Sequence, residues 1–262
     1  MTADPQTGFQ EADGRRWFID NITGKLDQCA ADRIGREETV GRESRTNMRT
    51  RALVYALLKA LGLNTVLPAN PVRRDIRGIG LSDLEIYAKP LSDLFGYRNT
   101  FYHRRPRLDV SNAESCALWA GLDFITSSDV FEHVPPPVRR TFANCRRMLK
   151  PGGVMVFTVP YTFGPTVEHY PDLHRWRVRK RLFGKWVLEN VTADGRRWVR
   201  DDLVFHGGLG STIEMRVFGL EDLKADLLAA GFKSVEIVEE DVPLYGIWNR
   251  HERWSLPIIA RA

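Results

Sequence analysis

Cysteine is scarce in this chain: Cys29, Cys116 and Cys145 stand far apart, with no Cys-x-x-Cys pair. An odd and sparse set argues against a disulfide framework and against a thiolate zinc site. Long apolar runs are also lacking, and none approaches the length of a membrane span. The first ten residues do not contain the apolar stretch of a signal peptide. We therefore expect a protein of the reducing cytoplasm.

The chain also lacks a strong excess of one charge sign. It contains 38 Lys and Arg and 33 Asp and Glu, which gives a net charge of +5. The positive excess lies between Arg139 and Arg200, whereas Glu214 to Glu252 is mainly acidic. An anionic small substrate, a nucleic acid or a merely solvated face would each explain it. With 43% hydrophobic residues among 262, the chain can bury one sizeable core.

Hydrophobic periodicity is missing from residues 1–43, which are polar and charged. This predicts a loosely structured N-terminal arm, followed by one domain over residues 44–262. Within that domain Leu53, Leu57 and Leu61 fall at helical spacing, and Gly62 follows as a stop signal.

Strand and helix patterns alternate in the rest of the domain. Leu122–Ser127 is a strand candidate, Pro135 opens a helix, and Lys150–Gly153 ends it before the apolar strand Val154–Val159. The closing segment adds a helix and two strands at Leu220–Ala230, Val235–Val238 and Leu256–Ala260. This order predicts an α/β fold with a mostly parallel sheet covered by helices on both faces.

The alternation stops in residues 160–218, which form a predicted β-rich insertion. Arg175–Arg179 and Lys185–Leu188 are strand candidates, and Thr192–Gly195 is a candidate hairpin turn. The insertion leaves the carboxyl end of the Val154–Val159 strand, and ligands of open α/β sheets bind at such ends. We expect it to act as a lid over a ligand.

The stretch from Leu122 to Tyr161 reads LDFITSSDVFEHVPPPVRRTFANCRRMLKPGGVMVFTVPY. In order and spacing it resembles the second half of a class I S-adenosylmethionine-dependent methyltransferase: a strand ending in Ser-Asp, then Glu-His-Val, a proline-started helix and a Lys-Pro-Gly-Gly turn. The closing helix and strands are similar to that family's ending, so roughly two thirds of the chain is covered. The resemblance implies a Rossmann-like sheet with an antiparallel last strand, S-adenosylmethionine as cofactor, and methyl transfer.

The family's glycine loop is only partly present. By spacing, Gly78 stands at its acidic position, and its three glycines correspond to Gly80, Ser82 and Leu84. Glycine serves there to let backbone approach the donor closely. Gly78, Gly80 and Ser82 are therefore the candidate donor-loop residues. Asp83 occupies the place of a further glycine in a dinucleotide-binding loop, which disfavours NAD.

Other donor contacts are expected after the next strands. No carboxylate occurs between residues 95 and 108, where an acid would bind the ribose, so His103 is the candidate there; a surface loop residue is the alternative. Asp109, with its neighbour Val110, is the candidate adenine contact, and a helix cap is the alternative. Ser128 ends the fourth strand of the family pattern and is the last donor candidate.

On the acceptor side, His133 is the candidate general base, because the ordinary pKa of histidine suits neutral pH. The alternative is that Glu132 and His133 only hydrogen-bond the backbone of their loop. Tyr161 follows the Val154–Val159 strand and is expected to face the same cleft, where it orients an acceptor or packs at the rim.

In some small-molecule methyltransferases of this type the corresponding Glu-His pair assists a metal ion. Here the insertion offers His169, His174 and His206, but their spacing is not specific for metal binding. Without a third ligand indicated by spacing, we expect no metal site.

Together these features predict methyl transfer from S-adenosylmethionine to a small molecule or glycan precursor, with oxygen as the methylated atom and an anionic acceptor as one possibility. Two alternatives stay open. The incomplete glycine loop suits a non-catalytic ligand-binding module on the same scaffold, and the basic residues suit an RNA-modifying enzyme.

Overall fold

The helices and strands follow the alternation expected from the sequence. The structure is a computed structural model that describes residues 9–10, 14–181, 184–206 and 212–262. Its α-helices are α1 (Met48–Ala60), α2 (Glu85–Leu94), α3 (Ala113–Ala117), α4 (Val138–Met148) and α5 (Leu220–Ala229). Its strands are β1 (Phe9–Gln10), β2 (Arg15–Ile19), β3 (Leu26–Ala30), β4 (Arg73–Leu81), β5 (Phe95–Thr100), β6 (Leu122–Ser128), β7 (Leu149–Thr158), β8 (Tyr161–Thr162), β9 (Val167–Glu168), β10 (Arg175–Lys180), β11 (Trp186–Val191), β12 (Arg197–Arg200), β13 (Phe205–His206), β14 (Thr212–Ile213), β15 (Arg216–Gly219), β16 (Ser234–Ile237) and β17 (Ile258–Arg261).

The central sheet has six strands in the order β16-β17-β7-β6-β4-β5. The pairs among β7, β6, β4 and β5 are parallel, whereas β17 runs antiparallel to both of its neighbours. This confirms the expected Rossmann-like α/β fold with an antiparallel last strand.

Helices cover both faces of this sheet, as expected from strand β7, which has apolar side chains on both of its faces. Val154 and Val156 join the hydrophobic cluster that contains residues of α1 and α2, while Met155 and Phe157 join the cluster that contains residues of α4 and α5. Because successive side chains of a strand point to opposite faces, both faces of β7 are buried.

Strand β5 differs from its expected position. The pattern Ser82–Phe95 predicts a helix and Asn99–His103 a strand, but α2 ends at Leu94 and β5 already begins at Phe95. The second strand candidate, Arg107–Val110, forms only an isolated bridge between Arg107 and Phe101. Strand β5 is therefore the edge of the described sheet.

Residues 14–43 are ordered, in contrast to the loosely structured arm that their composition predicted. Strands β2 and β3 form an antiparallel hairpin, and two buried carboxylates hold its turns and loops. Asp20 accepts hydrogen bonds from the backbone of Ile22 and Thr23 at 3.0 and 2.7 Å, and Asp27 accepts one from Ser44 at 2.8 Å. Local side-chain-to-backbone bonds of this kind leave no hydrophobic period in the sequence.

The N-terminal segment packs against a loop near the C-terminus through Arg51. The guanidinium of this fully buried residue lies over the ring of Phe18, with 4.3 Å from Cζ to the ring centroid. It donates hydrogen bonds to the carbonyl oxygens of Thr46, Thr39 and Gly246 at 2.8, 2.9 and 3.0 Å. One side chain thus joins the hairpin, helix α1 and the C-terminal loop.

The β-rich insertion forms the predicted antiparallel sheet, in which β11 lies between β10 and β12. The turn between β11 and β12 is closed by hydrogen bonds from Thr192 N to Arg196 O and from Gly195 N to Thr192 O. Buried Tyr170, Leu188 and Met215 form a small separate hydrophobic cluster under this sheet. In the described part of the chain, no helix combines the length and apolar character that a bilayer crossing requires.

Replacing Arg51 by Met should lower the free energy of unfolding by about 3 kcal/mol, because three buried carbonyl groups lose their charged donor. Chemical denaturation followed by circular dichroism measures this change. The control is Arg42→Met: this side chain is 60% exposed and pairs loosely with Glu43 at 3.7 Å, so its change should stay below about 0.5 kcal/mol. Equal effects of the two substitutions would contradict the role given to Arg51.

Candidate active site

A cavity of about 530 Å³ lies at the carboxyl ends of β4, β5 and β6. The turns after these three strands supply one part of its wall, and the β-rich insertion supplies another. The lining residues from the strand ends and their loops are Leu81, Ser82, Thr100, Phe101, Tyr102, His103, Leu108, Asp109, Val110, Ser111, Asp129, Val130, His133, Val134 and Pro135. The insertion adds Trp176, Val178, Thr212, Ile213 and Met215.

The turn after β4 brings Ser82 to the cavity in a left-handed backbone conformation, with φ of 59°. The strand next to it fixes this strained position: Ser82 N donates to Thr100 O at 2.8 Å, and Asn99 exchanges hydrogen bonds with the backbone N and O of Asp83 at 3.0 and 2.8 Å. Hydrogen bonds from β5 thus fix the backbone of the loop in which the family has glycines.

Gly78 and Gly80 face the protein interior and are not among the described residues that line the cavity. A Cβ atom on Gly78 would overlap the ring of Phe124, and one on Gly80 would overlap the Tyr97 hydroxyl and the Asp83 carboxylate. Internal packing therefore explains both glycines without a ligand.

Asp83 also points inward from this loop. Its carboxylate accepts hydrogen bonds from the Tyr97 hydroxyl at 2.7 Å and from Thr126. Burial raises the pKa of Asp83, and these two hydrogen bonds oppose that rise. The carboxylate is committed to the core and stays out of the cavity.

His103, Asp109 and Val110 all line the cavity, so the structure brings three of the donor candidates together. His103 is exposed, with its ring edge-on to Tyr102 at 4.6 Å between centroids. Asp109 Oδ1 accepts hydrogen bonds from Ser111 N and Oγ at 3.0 and 2.6 Å, which caps a local turn. It does not cap a helix, the alternative considered above, because the N-cap of α3 is Asn112. The turn cap uses one oxygen of Asp109, and Oδ2 accepts no hydrogen bond within the described residues.

At the end of β6 the cavity wall contains Asp129 rather than Ser128. The Asp129 carboxylate accepts hydrogen bonds from Arg36 Nη2 at 2.5 and 2.7 Å and from Arg49 Nη1 at 2.6 Å. Ser128 Oγ accepts a second hydrogen bond from Arg49 Nη1 at 2.9 Å, which helps to fix the position of the guanidinium beside Asp129. Arg36, from the loop after β3, and Arg49, from helix α1, thus hold a carboxylate of the cavity wall.

Opposing effects act on the pKa of Asp129. Burial would raise it, but the charges and hydrogen bonds of Arg36 and Arg49 prevail and lower it. The carboxylate is therefore ionised at neutral pH and is held in place by the buried Arg36 and the partly exposed Arg49.

A cluster of Glu132, His133 and His206 lies beside Asp129. Glu132 Oε1 is 3.8 Å from His133 Nε2 and 3.6 Å from His206 Nδ1. His133 Nδ1 lies 2.8 Å from the carbonyl oxygen of Ile213, so the nitrogen donates and leaves the Nε2 lone pair free when the ring is neutral. Burial lowers the pKa of His133, which keeps the ring neutral at pH 7, and burial together with the Asp129 charge raises the pKa of Glu132 to about 8.

Tyr161 does not reach the cavity wall in the described residues. It is 3% exposed and belongs to the hydrophobic cluster under α4 and α5. The structure therefore favours the packing alternative for Tyr161 over contact with an acceptor.

Several residues of the site were missed by the sequence analysis. Asp129 follows Ser128 in the Ser-Asp pair of the family pattern, so this motif could have indicated it as a site residue. Arg36 and Arg49 gave no such signal, because they lie in or near a polar segment without periodicity. His206 was considered only for its sequence spacing, and its proximity to Glu132 depends on how the insertion folds back.

Introducing a methyl group at position 80 tests whether that glycine serves packing. Gly80→Ala should lower the free energy of unfolding by about 2 kcal/mol, because the new Cβ overlaps Tyr97 and Asp83. The control Gly164→Ala should change it little, since the nearest atom to that Cβ is Thr162 Oγ1 at 3.8 Å. Unchanged stability in Gly80→Ala, combined with lost binding of S-adenosylhomocysteine, would instead assign Gly80 to the donor.

Asp129 should stabilise the fold in a pH-dependent way. Its pKa in the folded state lies below the ordinary 3.8, so its contribution is present above that pH and disappears as the pH falls through the folded-state value. Asp129→Asn should therefore be clearly less stable than the parent in urea at pH 7, and the difference should narrow as the pH falls below about 4. A gap that stays constant from pH 7 to pH 3 would argue against the ion cluster.

Comparison with known proteins identifies the family. The family model described as a methyltransferase domain matches residues 57–237, more than half of the chain. No curated protein matches the chain.

Three solved structures similar to this chain are methyltransferases of low sequence identity. A protein from Clostridium acetobutylicum described as an S-adenosylmethionine-dependent methyltransferase is 14% identical, with a TM-score of 0.44 over 82% of this chain and 91% of its own. The 1,6-didemethyltoxoflavin-N1-methyltransferase of Burkholderia thailandensis is 16% identical, with a TM-score of 0.45 over 84% and 81%. An amino pentose methyltransferase from Micromonospora echinaspora is 16% identical, with a TM-score of 0.41 over 82% and 91%.

The family match extends from helix α1 to strand β16 and includes every strand-end loop that lines the cavity. It confirms the resemblance first found in residues 122–161, and the chain belongs to the methyltransferase-domain family.

Proposed function

We propose that the chain transfers the methyl group of S-adenosylmethionine to a small-molecule acceptor, with a hydroxyl oxygen as the methylated atom. The observation that carries the proposal is the cavity itself. It combines the donor candidates Ser82, His103 and Asp109 with the base candidate His133 in one wall. Its volume of about 530 Å³ is within the usual range for small-ligand sites.

The donor site uses residues from each strand end. We assign the adenine amine to the free oxygen of Asp109, the ribose hydroxyls to His103, and the amino group of the methionine portion to Asp129. Apolar Leu81 and Val110 of the same wall suit an adenine ring. Carboxylates are the natural partners of the amine donors, and imidazole can both donate to and accept from hydroxyl groups.

The chemistry needs a nucleophile, a leaving group and a proton acceptor. When bound, S-adenosylmethionine supplies a methyl group on a positively charged sulfur. The acceptor oxygen forms the new bond to that carbon, the carbon–sulfur bond breaks to release S-adenosylhomocysteine, and the hydroxyl proton passes to His133 Nε2. The Ile213 carbonyl holds the ring in the tautomer that this step requires.

The insertion helps to exclude water and position the acceptor. Trp176, Val178, Ile213 and Met215 bring apolar surface to the cavity wall. Holding the two reactants in contact in a water-poor site is a large part of catalysis for a direct displacement.

An RNA substrate is less well supported than a small molecule. Part of the basic run of the insertion is paired within its own sheet. Arg177 and Arg179 both contact Glu189, at 2.9 and 2.7 Å from Nε to the carboxylate. Lys185 Nζ lies 2.5 Å from Asp201 Oδ2. Such pairing is typical of a solvated strand surface, so these basic residues do not by themselves indicate a phosphate backbone as partner.

Calorimetry tests the donor assignment. Asp109→Ala should weaken the binding of S-adenosylhomocysteine about tenfold, since a hydrogen bond to a charged group is lost. His133→Ala should leave that affinity within about twofold and lower turnover about a hundredfold, measured as S-adenosylhomocysteine release with a hydroxylated acceptor found by screening. Absence of heat with both S-adenosylmethionine and S-adenosylhomocysteine at millimolar concentration would overturn the proposal and favour the non-catalytic module.

A further inference from the structure

We propose that Glu132, His133 and His206 bind a divalent transition-metal ion in the wall of the cavity. The three side chains come from two distant parts of the chain: the first two lie in the loop after β6, and His206 ends β13 in the insertion. Binding of the ion does not depend on the function proposed above; only the role given to the ion rests on it.

The spacing of the three ligand atoms fits one ion. One carboxylate oxygen and one nitrogen of each imidazole all lie within 4.8 Å of one another. Glu132 Oε1 lies 3.8 Å from His133 Nε2 and 3.6 Å from His206 Nδ1. Two ligands about 2.1 Å from a tetrahedral ion lie about 3.4 Å apart, so small side-chain movements would close the site.

Glu132 gives the second, independent indication. It is 1% exposed, and neither of its carboxylate oxygens has a hydrogen-bond donor among the described residues. A buried carboxylate without a donor is costly, and a cation between it and the two imidazoles removes that cost.

The positively charged side chains near Glu132 form their hydrogen bonds with other groups. Arg216 donates to Glu168 at 2.6 Å and to the Phe131 carbonyl at 2.7 Å. Arg36 donates to Asp129. Neither forms a hydrogen bond with Glu132 in the described structure.

The orientation of His133 is that of a metal ligand. Its Nδ1–H donates to the Ile213 carbonyl, which turns Nε2 toward Glu132. Ligating histidines commonly use their second nitrogen in this way, because the hydrogen bond fixes both the tautomer and the ring plane. The ring of His206 lies edge-on to it, with 5.3 Å between centroids.

The donor set indicates the class of metal. Two imidazoles and one carboxylate suit Mn²⁺, Fe²⁺, Co²⁺, Ni²⁺ or Zn²⁺, whereas Mg²⁺ and Ca²⁺ prefer oxygen ligands alone. Three protein ligands leave at least one position open, and His133 lines the cavity. A bound ion would lower the pKa of an acceptor hydroxyl at that position. In the metal-bound chain His133 Nε2 would be a ligand, and the proton of the acceptor hydroxyl would pass to solvent. In the metal-free chain the same nitrogen would be the proton acceptor described above.

Metal binding by the full-length chain tests the site. The protein is treated with EDTA, dialysed and titrated with MnCl₂ and with ZnCl₂ in a calorimeter. We expect one ion per chain for at least one of these metals. Glu132→Gln and His206→Gln should each weaken its affinity about tenfold or more. The control His251→Gln removes an exposed histidine outside the cluster and should stay within about twofold.

Binding of S-adenosylhomocysteine by the same variants shows whether they fold and separates the two proposals. Retained donor binding with loss of metal binding in Glu132→Gln and His206→Gln supports the site. Failure of the parent chain to bind either metal, or equal metal affinity in all variants, overturns it and leaves the proposed methyl transfer intact. Metal binding without donor binding would instead refute the proposed function and keep the metal site.

Discussion

The arrangement around the cavity depends on one buried carboxylate, Asp129, held between Arg36 and Arg49. This ion cluster joins the end of a central strand to helix α1 and to the N-terminal segment. A buried charge is tolerated only with partners that satisfy it. The N-terminal segment and helix α1 therefore both have a structural part in the cavity wall: without Arg36 and Arg49, the Asp129 carboxylate would be buried without a charged partner.

The incomplete glycine loop has a comparable explanation in packing. In this chain the region behind the loop is filled by Phe124, Tyr97 and Asp83, and the remaining glycines make room for those groups. The cavity is lined instead by Ser82, which follows these glycines in the turn. Its left-handed backbone conformation is fixed by hydrogen bonding to β5. A loop that departs from the family pattern can thus still present backbone to a ligand.

The acceptor side combines two sources of control. The loop after β6 supplies Glu132 and His133, and the insertion supplies His206, the carbonyl that orients His133, and an apolar cover that includes Trp176. In the proposed reaction, substrate choice and acceptor activation would therefore be linked, because both depend on how the insertion folds. This coupling gives a physical reason for a large β-rich segment to interrupt an otherwise regular α/β domain.

The sequence alone determined the α/β alternation, the antiparallel ending and the methyltransferase family, since periodicity and the Glu-His-Val motif are local properties. It also indicated His103, Asp109 and His133, which follow strand ends. Only the tertiary structure decided that Arg36 and Arg49 meet Asp129, that Gly80 faces the core, and that His206 approaches Glu132. These are contacts between distant segments, and a chain specifies them through packing and buried charge rather than through any spacing along its length.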